Sequence, residues 1–230
     1  GLPLGFGLIQ VAATALGETG GDAVSMSMNL GYLVGTAIFA AIFLAAVVAQ
    51  VKAKDFHPFL YWTTIIATTT VGTTLADFAG GSSLLLALLL GSLFVWHRTL
   101  GSVSVSTVSS PKAEAFYWLT IMFSQTLGTA LGDWTADTAG LGYTGAAVVF
   151  GGLLALVVAA YYWTSVSRTL LFWAAFILTR PLGAVVGDFL DKPVSAGGLA
   201  LSRYSASAAL LTFIVVAILL FRQRAARTAH

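Results

Sequence analysis

Residues 117–137 read YWLTIMFSQTLGTALGDWTAD: an aromatic pair, an apolar run of helix length, and then a glycine followed by a carboxylate at Gly132-Asp133. The same design returns as YWTTIIATTTVGTTLAD over 61–77 and as FWAAFILTRPLGAVVGD over 172–188. Trp62, Trp118 and Trp173 each precede Asp77, Asp133 and Asp188 by fifteen residues, and Gly72, Gly128 and Gly183 precede them by five. A fourth copy opens the chain and ends at Gly17-Glu18, with Pro3 and Ala13 at the tryptophan and glycine positions. The carboxylates recur at intervals of 59, 56 and 55 residues, the mark of a tandem repeat.

Composition sets the class. With 58% hydrophobic residues, 9% charged residues and a mean hydropathy of +0.91, the 230 residues cannot cover a soluble domain, and the chain reads as an integral membrane protein. Apolar segments over about 2–17, 29–50, 58–76, 79–96, 115–132, 143–163, 169–187 and 199–221 each approach the length that spans the bilayer. The expectation is an all-α membrane protein of about eight transmembrane helices, arranged as four parallel helical-hairpin repeats. Their approximate limits are 1–52, 53–110, 111–166 and 167–223, before a basic tail at 224–230. The first span is short and the chain opens on Gly1 without Met, which implies a beginning that is missing or divergent. No charged signal with a cleavage site precedes it, and the continuous apolar runs exclude barrel patterning.

Lys52, Lys54, Arg98, Lys112, Arg168, Arg222, Arg224 and Arg227 all fall in connections between hairpins or in the tail. By the positive-inside rule that side is cytoplasmic, so both termini are expected there, in a bacterial inner (plasma) membrane. Basic residues flanking membrane spans encode topology, and no nucleic-acid role follows. Cysteine is absent, which removes disulfides and thiolate chemistry. His57, His97 and His230 lack the spacing of a zinc site. Neither a nucleophile with its base nor an H-E-x-x-H pattern occurs, and the chain is not read as an enzyme.

Units one and three agree further: Leu30-Gly31-Tyr32 matches Leu141-Gly142-Tyr143, and a second acid, Asp22 or Asp137, follows the first by four residues. Gly81 and Lys192 hold that place in units two and four, so the chain divides into two related halves. The chain resembles a bacterial family of uncharacterised multi-pass membrane proteins built from four tandem copies of a two-helix repeat of unknown function with a recurrent tryptophan. Tyr61-Trp62, Tyr117-Trp118, Phe172-Trp173, Gly17 to Asp22 and Gly132-Asp133 carry the resemblance. It implies the architecture and brings no activity with it.

Residues four apart share a helix face, so steps of four from each acid trace a stripe. The stripes are Gln10, Thr14, Glu18, Asp22; Thr69, Thr73, Asp77; Gln125, Thr129, Asp133, Asp137; and Arg180, Ala184, Asp188, Lys192. Four hairpins around one axis would bring the acids to a common depth beside a central cavity. An ionised carboxylate deep in a bilayer costs roughly 2.5–3.5 kcal/mol, and a bound cation, a proton or a partner offsets that cost. Arg180 demands a carboxylate or a hydrated cavity, and Pro181 beside it predicts a kink or a break. Arg203 is expected to pair with Asp188 or Asp191. Trp62, Trp118 and Trp173 are expected to anchor in the headgroup zone.

These features point to a cation transporter, with proton-coupled export of a divalent metal such as manganese through a carboxylate-lined central site. Glu18, Asp22, Asp77, Asp133, Asp137 and Asp188 are the candidate metal ligands for a bound divalent cation of the manganese or magnesium class, with Met26 and Asn29 as accessories that favour a borderline ion such as manganese over calcium. Gln10, Thr14, Thr69, Thr73, Gln125, Thr129 and Arg180 form the candidate polar pathway, and Arg203 is accessory. Partners are the lipid bilayer, protons and inorganic cations; the oligomeric state is not encoded. A membrane scaffold with structural acid–arginine pairs is the alternative, and a cation channel a third.

Overall fold

The computed structural model describes residues 4–53, 56–79, 82–101 and 110–221; Pro3, Lys54, Gly81 and the tail 224–230 lie outside them. Among the described residues there are eight α-helices: α1 Leu4–Asp22, α2 Gly31–Lys52, α3 Pro58–Ala79, α4 Ser82–Leu100, α5 Pro111–Asp133, α6 Gly142–Trp163, α7 Arg168–Asp191 and α8 Arg203–Leu220. The start of α5 shows why the helices begin where they do. Ser110 accepts a hydrogen bond from the Ala113 backbone N–H at 3.2 Å, and Pro111 occupies the first turn, where a missing N–H is harmless. The repeated Leu-Gly-Tyr is a turn: Gly31 and Gly142 take φ of +76° and +64°, which glycine adopts without steric cost, and α2 and α6 start there.

The odd-numbered helices form a closed inner ring, α1 against α3, α3 against α5, α5 against α7 and α7 against α1. The even-numbered helices lie outside it, each packed chiefly on the first helix of the following unit: α2 on α3, α4 on α5, α6 on α7 and α8 on α1. The units are thus hairpins in connectivity, while most of their packing crosses from unit to unit. Repeat glycines close the ring. A methyl group at Gly17 would stand 2.6 Å from Thr69 Cβ, and one at Gly72 3.0 Å from Gln125 Cβ. At Gly128 it would run into Arg180, and at Gly183 into Thr14. Small residues permit this approach of backbones, the means by which helices associate in a membrane.

Polarity is sorted between the two layers. Three outer helices, Gly31–Lys52, Gly142–Trp163 and Arg203–Leu220, are long and apolar enough to cross a membrane, and α4 holds a shorter apolar stretch, Leu84–Leu100. Outward residues such as Leu33, Leu44, Val148, Leu156 and Leu219 are exposed, as a lipid-facing surface requires. Threonine, glutamine and the acids concentrate on the inner helices. The chain is an all-α membrane protein of repeated two-helix units.

Trp62 and Trp118 are not headgroup anchors: they are 1% and 2% exposed, and belong to the core with Ile9, Ile65, Ile121 and Phe176. Tyr61 links them, with ring centroids 5.3 Å from Trp62 and 6.2 Å from Trp118. Burial of so much aromatic area between neighbouring inner helices outweighs the interfacial preference of indole. The side chain of Trp173 is outside those described. Pro181 does not break α7, which continues from Arg168 to Asp191.

Candidate cation site at the acidic end of the ring

The inner helices continue through the repeat acids, and this places them in the protein interior. Glu18 is 3% exposed, Asp22 1% and Asp188 3%, while Asp77 and Asp133 are half-buried. The small residue before each acid makes room. A methyl at Gly187 would lie 2.6 Å from Glu18 Cβ, so the α7 glycine is what admits the α1 glutamate.

The second acids of units one and three part company. Asp22 is the last residue of α1 and faces inward, ahead of a π-helical turn over Ala23–Ser27. In unit three the π-helical turn begins at Trp134, so Asp137 falls inside it and is exposed. A π turn takes more residues than an α turn, and a residue four past Asp133 no longer returns to its face. Asn29 is exposed with φ of +56°, in the turn before α2, and Met26 is exposed beside it.

Two basic residues close over one side of the site. Lys192 Nζ lies 2.7 Å from Asp22 Oδ2 and 3.1 Å from Asp188 Oδ1. Arg203 Nε lies 2.9 Å from Asp191 Oδ2 and 3.7 Å from Asp22 Oδ2, and its Nη1 and Nη2 donate to Ser27 Oγ and Met26 Sδ. Oxygens of Asp22, Asp188 and Asp191 come within 4.8 Å of one another, a spacing that would suit a divalent ion. The Lys192 ammonium and the Arg203 guanidinium already serve those oxygens. Burial opposes the charge on Lys192, but Asp188 and Asp22 outweigh it and hold its pKa above the usual lysine range. These groups tie the ends of α1, α7 and α8 together.

Glu18, Asp77 and Asp133 make no ion pair with that cluster, although Lys192 lies within electrostatic reach of all three. Glu18 Oε2 accepts a 2.9 Å hydrogen bond from Thr73 Oγ1, across the α1–α3 contact, and Asp133 Oδ1 is buried without a hydrogen-bond partner. The three acids lie within electrostatic reach of one another, and none makes an ion pair among the described residues. Their carboxylates offer oxygen, the donor type of a hard divalent cation.

Most of the threonine ladder does not face the axis as free hydroxyls. Thr14 donates to Gln10 O at 3.0 Å, and Thr69 to Ile65 O and Ile66 O within α3 and to Ala13 O on α1. Such bonds to the preceding turn satisfy the hydroxyl within the helix. Thr129 is buried on α5. Gln10, Gln125 and Arg180 are buried and keep unbonded polar atoms. Arg180 does not pair with any repeat acid.

A family described as a Repeat of Unknown Function (DUF347) matches residues 6–56, 116–167 and 171–226, more than half of the chain. The chain belongs to the DUF347 family. No curated protein and no solved structure matches it. Each matched DUF347 segment carries one inner and one outer helix, so the family repeat coincides with three of the four units of the ring. One site residue of this DUF347 chain escapes the periodic pattern. Asp191 belongs to no stripe of fours and is legible in sequence only as one of two expected partners of Arg203, the pair that the structure forms.

Proposed function

We propose that this protein is a multi-pass cation transporter of the bacterial inner membrane, with both termini cytoplasmic, that exchanges protons for a divalent metal of the manganese or magnesium class. The observation that carries the reading is the trio Glu18, Asp77 and Asp133, gathered at one end of a helix ring without a basic partner among the described residues while Lys192 and Arg203 engage Asp22, Asp188 and Asp191. Acids that protonate when the cation leaves would couple metal export to proton entry, because each carboxylate is neutralised by one ion or the other. Met26 faces Arg203, so the ligand set narrows to oxygen.

Purified protein in vesicles with an imposed pH gradient tests this. Manganese flux should depend on the gradient and fall at least tenfold in Glu18→Gln and Asp133→Asn. Undiminished flux in both variants overturns the reading. The ion pairs of Lys192 and Arg203 favour a second reading, a membrane scaffold in which all acids are structural. Under it, no metal raises the melting temperature of the wild type, and the neutral variants lose stability.

A further inference from the structure

Arg180 is 1% exposed, midway along α7 on the inner ring, and its Nε, Nη1 and Nη2 all lack a hydrogen-bond partner. No carboxylate among the described residues pairs with it. Geometry explains why the acids cannot. Asp188 lies two turns further on, roughly 12 Å along the axis at 1.5 Å per residue. Helical side chains lean toward the N-terminus, and Arg180 does so: its Cζ sits 4.4 Å from the centroid of the Phe176 ring, one turn back. The guanidinium therefore points away from the acidic end.

Two further polar groups share that level. Gly128 on α5 packs against Arg180, which sets Gln125, one turn before Gly128, level with the turn of α7 over which the guanidinium lies, its Cβ against Gly72 of α3. Gly183 on α7 packs against Thr14 and the Val11 carbonyl of α1, which sets Gln10 level with Arg180. Both amide atoms of Gln10 and of Gln125 are buried without a partner. Tyr61 and Tyr117 lie within electrostatic reach of the guanidinium from α3 and α5. The result is one permanent positive charge and several amide donors, enclosed by helices that glycine contacts hold close, with no anionic group among the described residues paired with them. A buried guanidinium of this kind calls for a counter-charge that donors can surround.

We propose that Arg180, Gln10 and Gln125 form an internal site for a small monovalent inorganic anion of the halide or nitrate class. A single positive charge matches a single negative one. The site is distinct from the acidic end and does not depend on transport of a cation.

The test uses the full chain in detergent, exchanged into gluconate. Addition of chloride or nitrate at constant ionic strength should raise the melting temperature saturably, and equilibrium dialysis with radiolabelled chloride should give one saturable class of site. Arg180→Gln should abolish both responses. Gln125→Leu, which keeps the charge, should weaken half-saturation by about tenfold or more, the worth of one hydrogen bond to a charged group. Absence of saturable chloride binding in the wild type overturns the proposal, and so does an unchanged response in Gln125→Leu together with Arg180→Gln. If Arg180→Gln does not fold, the wild-type dialysis and the Gln125→Leu shift decide alone.

Discussion

Lys192 and Asp22 meet across 170 residues of chain, the last turn of α1 held to the residue after α7 by a 2.7 Å ion pair. The contact fastens the first and fourth units at the acidic end, where Arg203 from the start of α8 adds a second tie. Lys192→Met should lower the melting temperature in detergent by the equivalent of about 2 kcal/mol or more, between the worth of exposed and buried pairs, since removal of the cation leaves two buried carboxylates facing each other. Differential scanning fluorimetry would measure it.

The pH dependence of that tie has a definite sign. The pKa of Lys192 in the folded protein is raised above its ordinary value of 10.5, so its contribution to stability is fully present below that value and is lost only as pH climbs through the higher folded value. The stability difference between wild type and Lys192→Met should therefore not shrink from neutral pH to about pH 10. A difference that decays within that range would contradict the pairing.

Ring closure at Gly183 gives a mutational contrast. Alanine there meets Thr14 of α1, whereas alanine at Gly152 on α6 meets nothing within 4 Å. Gly183→Ala should destabilise by about 1–3 kcal/mol, the usual range for overpacking. Gly152→Ala should be neutral or slightly stabilising. Thermal melts of the two purified variants provide the comparison.

Trp118 offers a test of burial against anchoring. A core tryptophan cut to alanine loses about 3–5 kcal/mol, and Trp118→Ala should fail to accumulate as folded protein while Trp118→Phe survives with a modest loss. A headgroup anchor would tolerate alanine far better. Yield of monodisperse protein on size exclusion distinguishes the outcomes.

Among the acids, Asp137 is the internal control. It is exposed, so Asp137→Asn should leave both stability and metal-dependent flux at wild-type levels, whereas Glu18→Gln should abolish flux. Vesicle flux assays on the pair would show whether burial or mere abundance of acids matters.

Much of this architecture was legible in sequence because it rests on periodicity. The spacing of Trp, Gly and acid gave the repeat, and the steps of four gave the inner faces of α1, α3, α5 and α7. What the pattern could not carry was set by geometry between units. Asp22 and Asp137 occupy equivalent positions, yet the onset of a π-helical turn one residue after Asp22, and before Asp137, sends one inward and one outward. Met26 looked like a soft ligand and instead meets a guanidinium from α8, nearly two hundred residues away in the chain. The tryptophans looked interfacial because they sit on the basic side of the spans; only the packing of adjacent units reveals that neighbouring helices enclose Trp62 and Trp118.

The helices of one unit pack mainly on the next, and the fourth unit returns to the first. Four separate copies of a single two-helix chain would close the same circle as a cyclic homotetramer, with every wall identical. Such an assembly would have to place an arginine on all four walls or on none, and four unpaired guanidinium groups crowding one axis would repel one another. Joining the units in one polypeptide removes that constraint. It lets a single wall carry Arg180 and Lys192 while the other three carry glutamine, threonine and acids, so the covalent link between units is what makes a chemically one-sided interior possible.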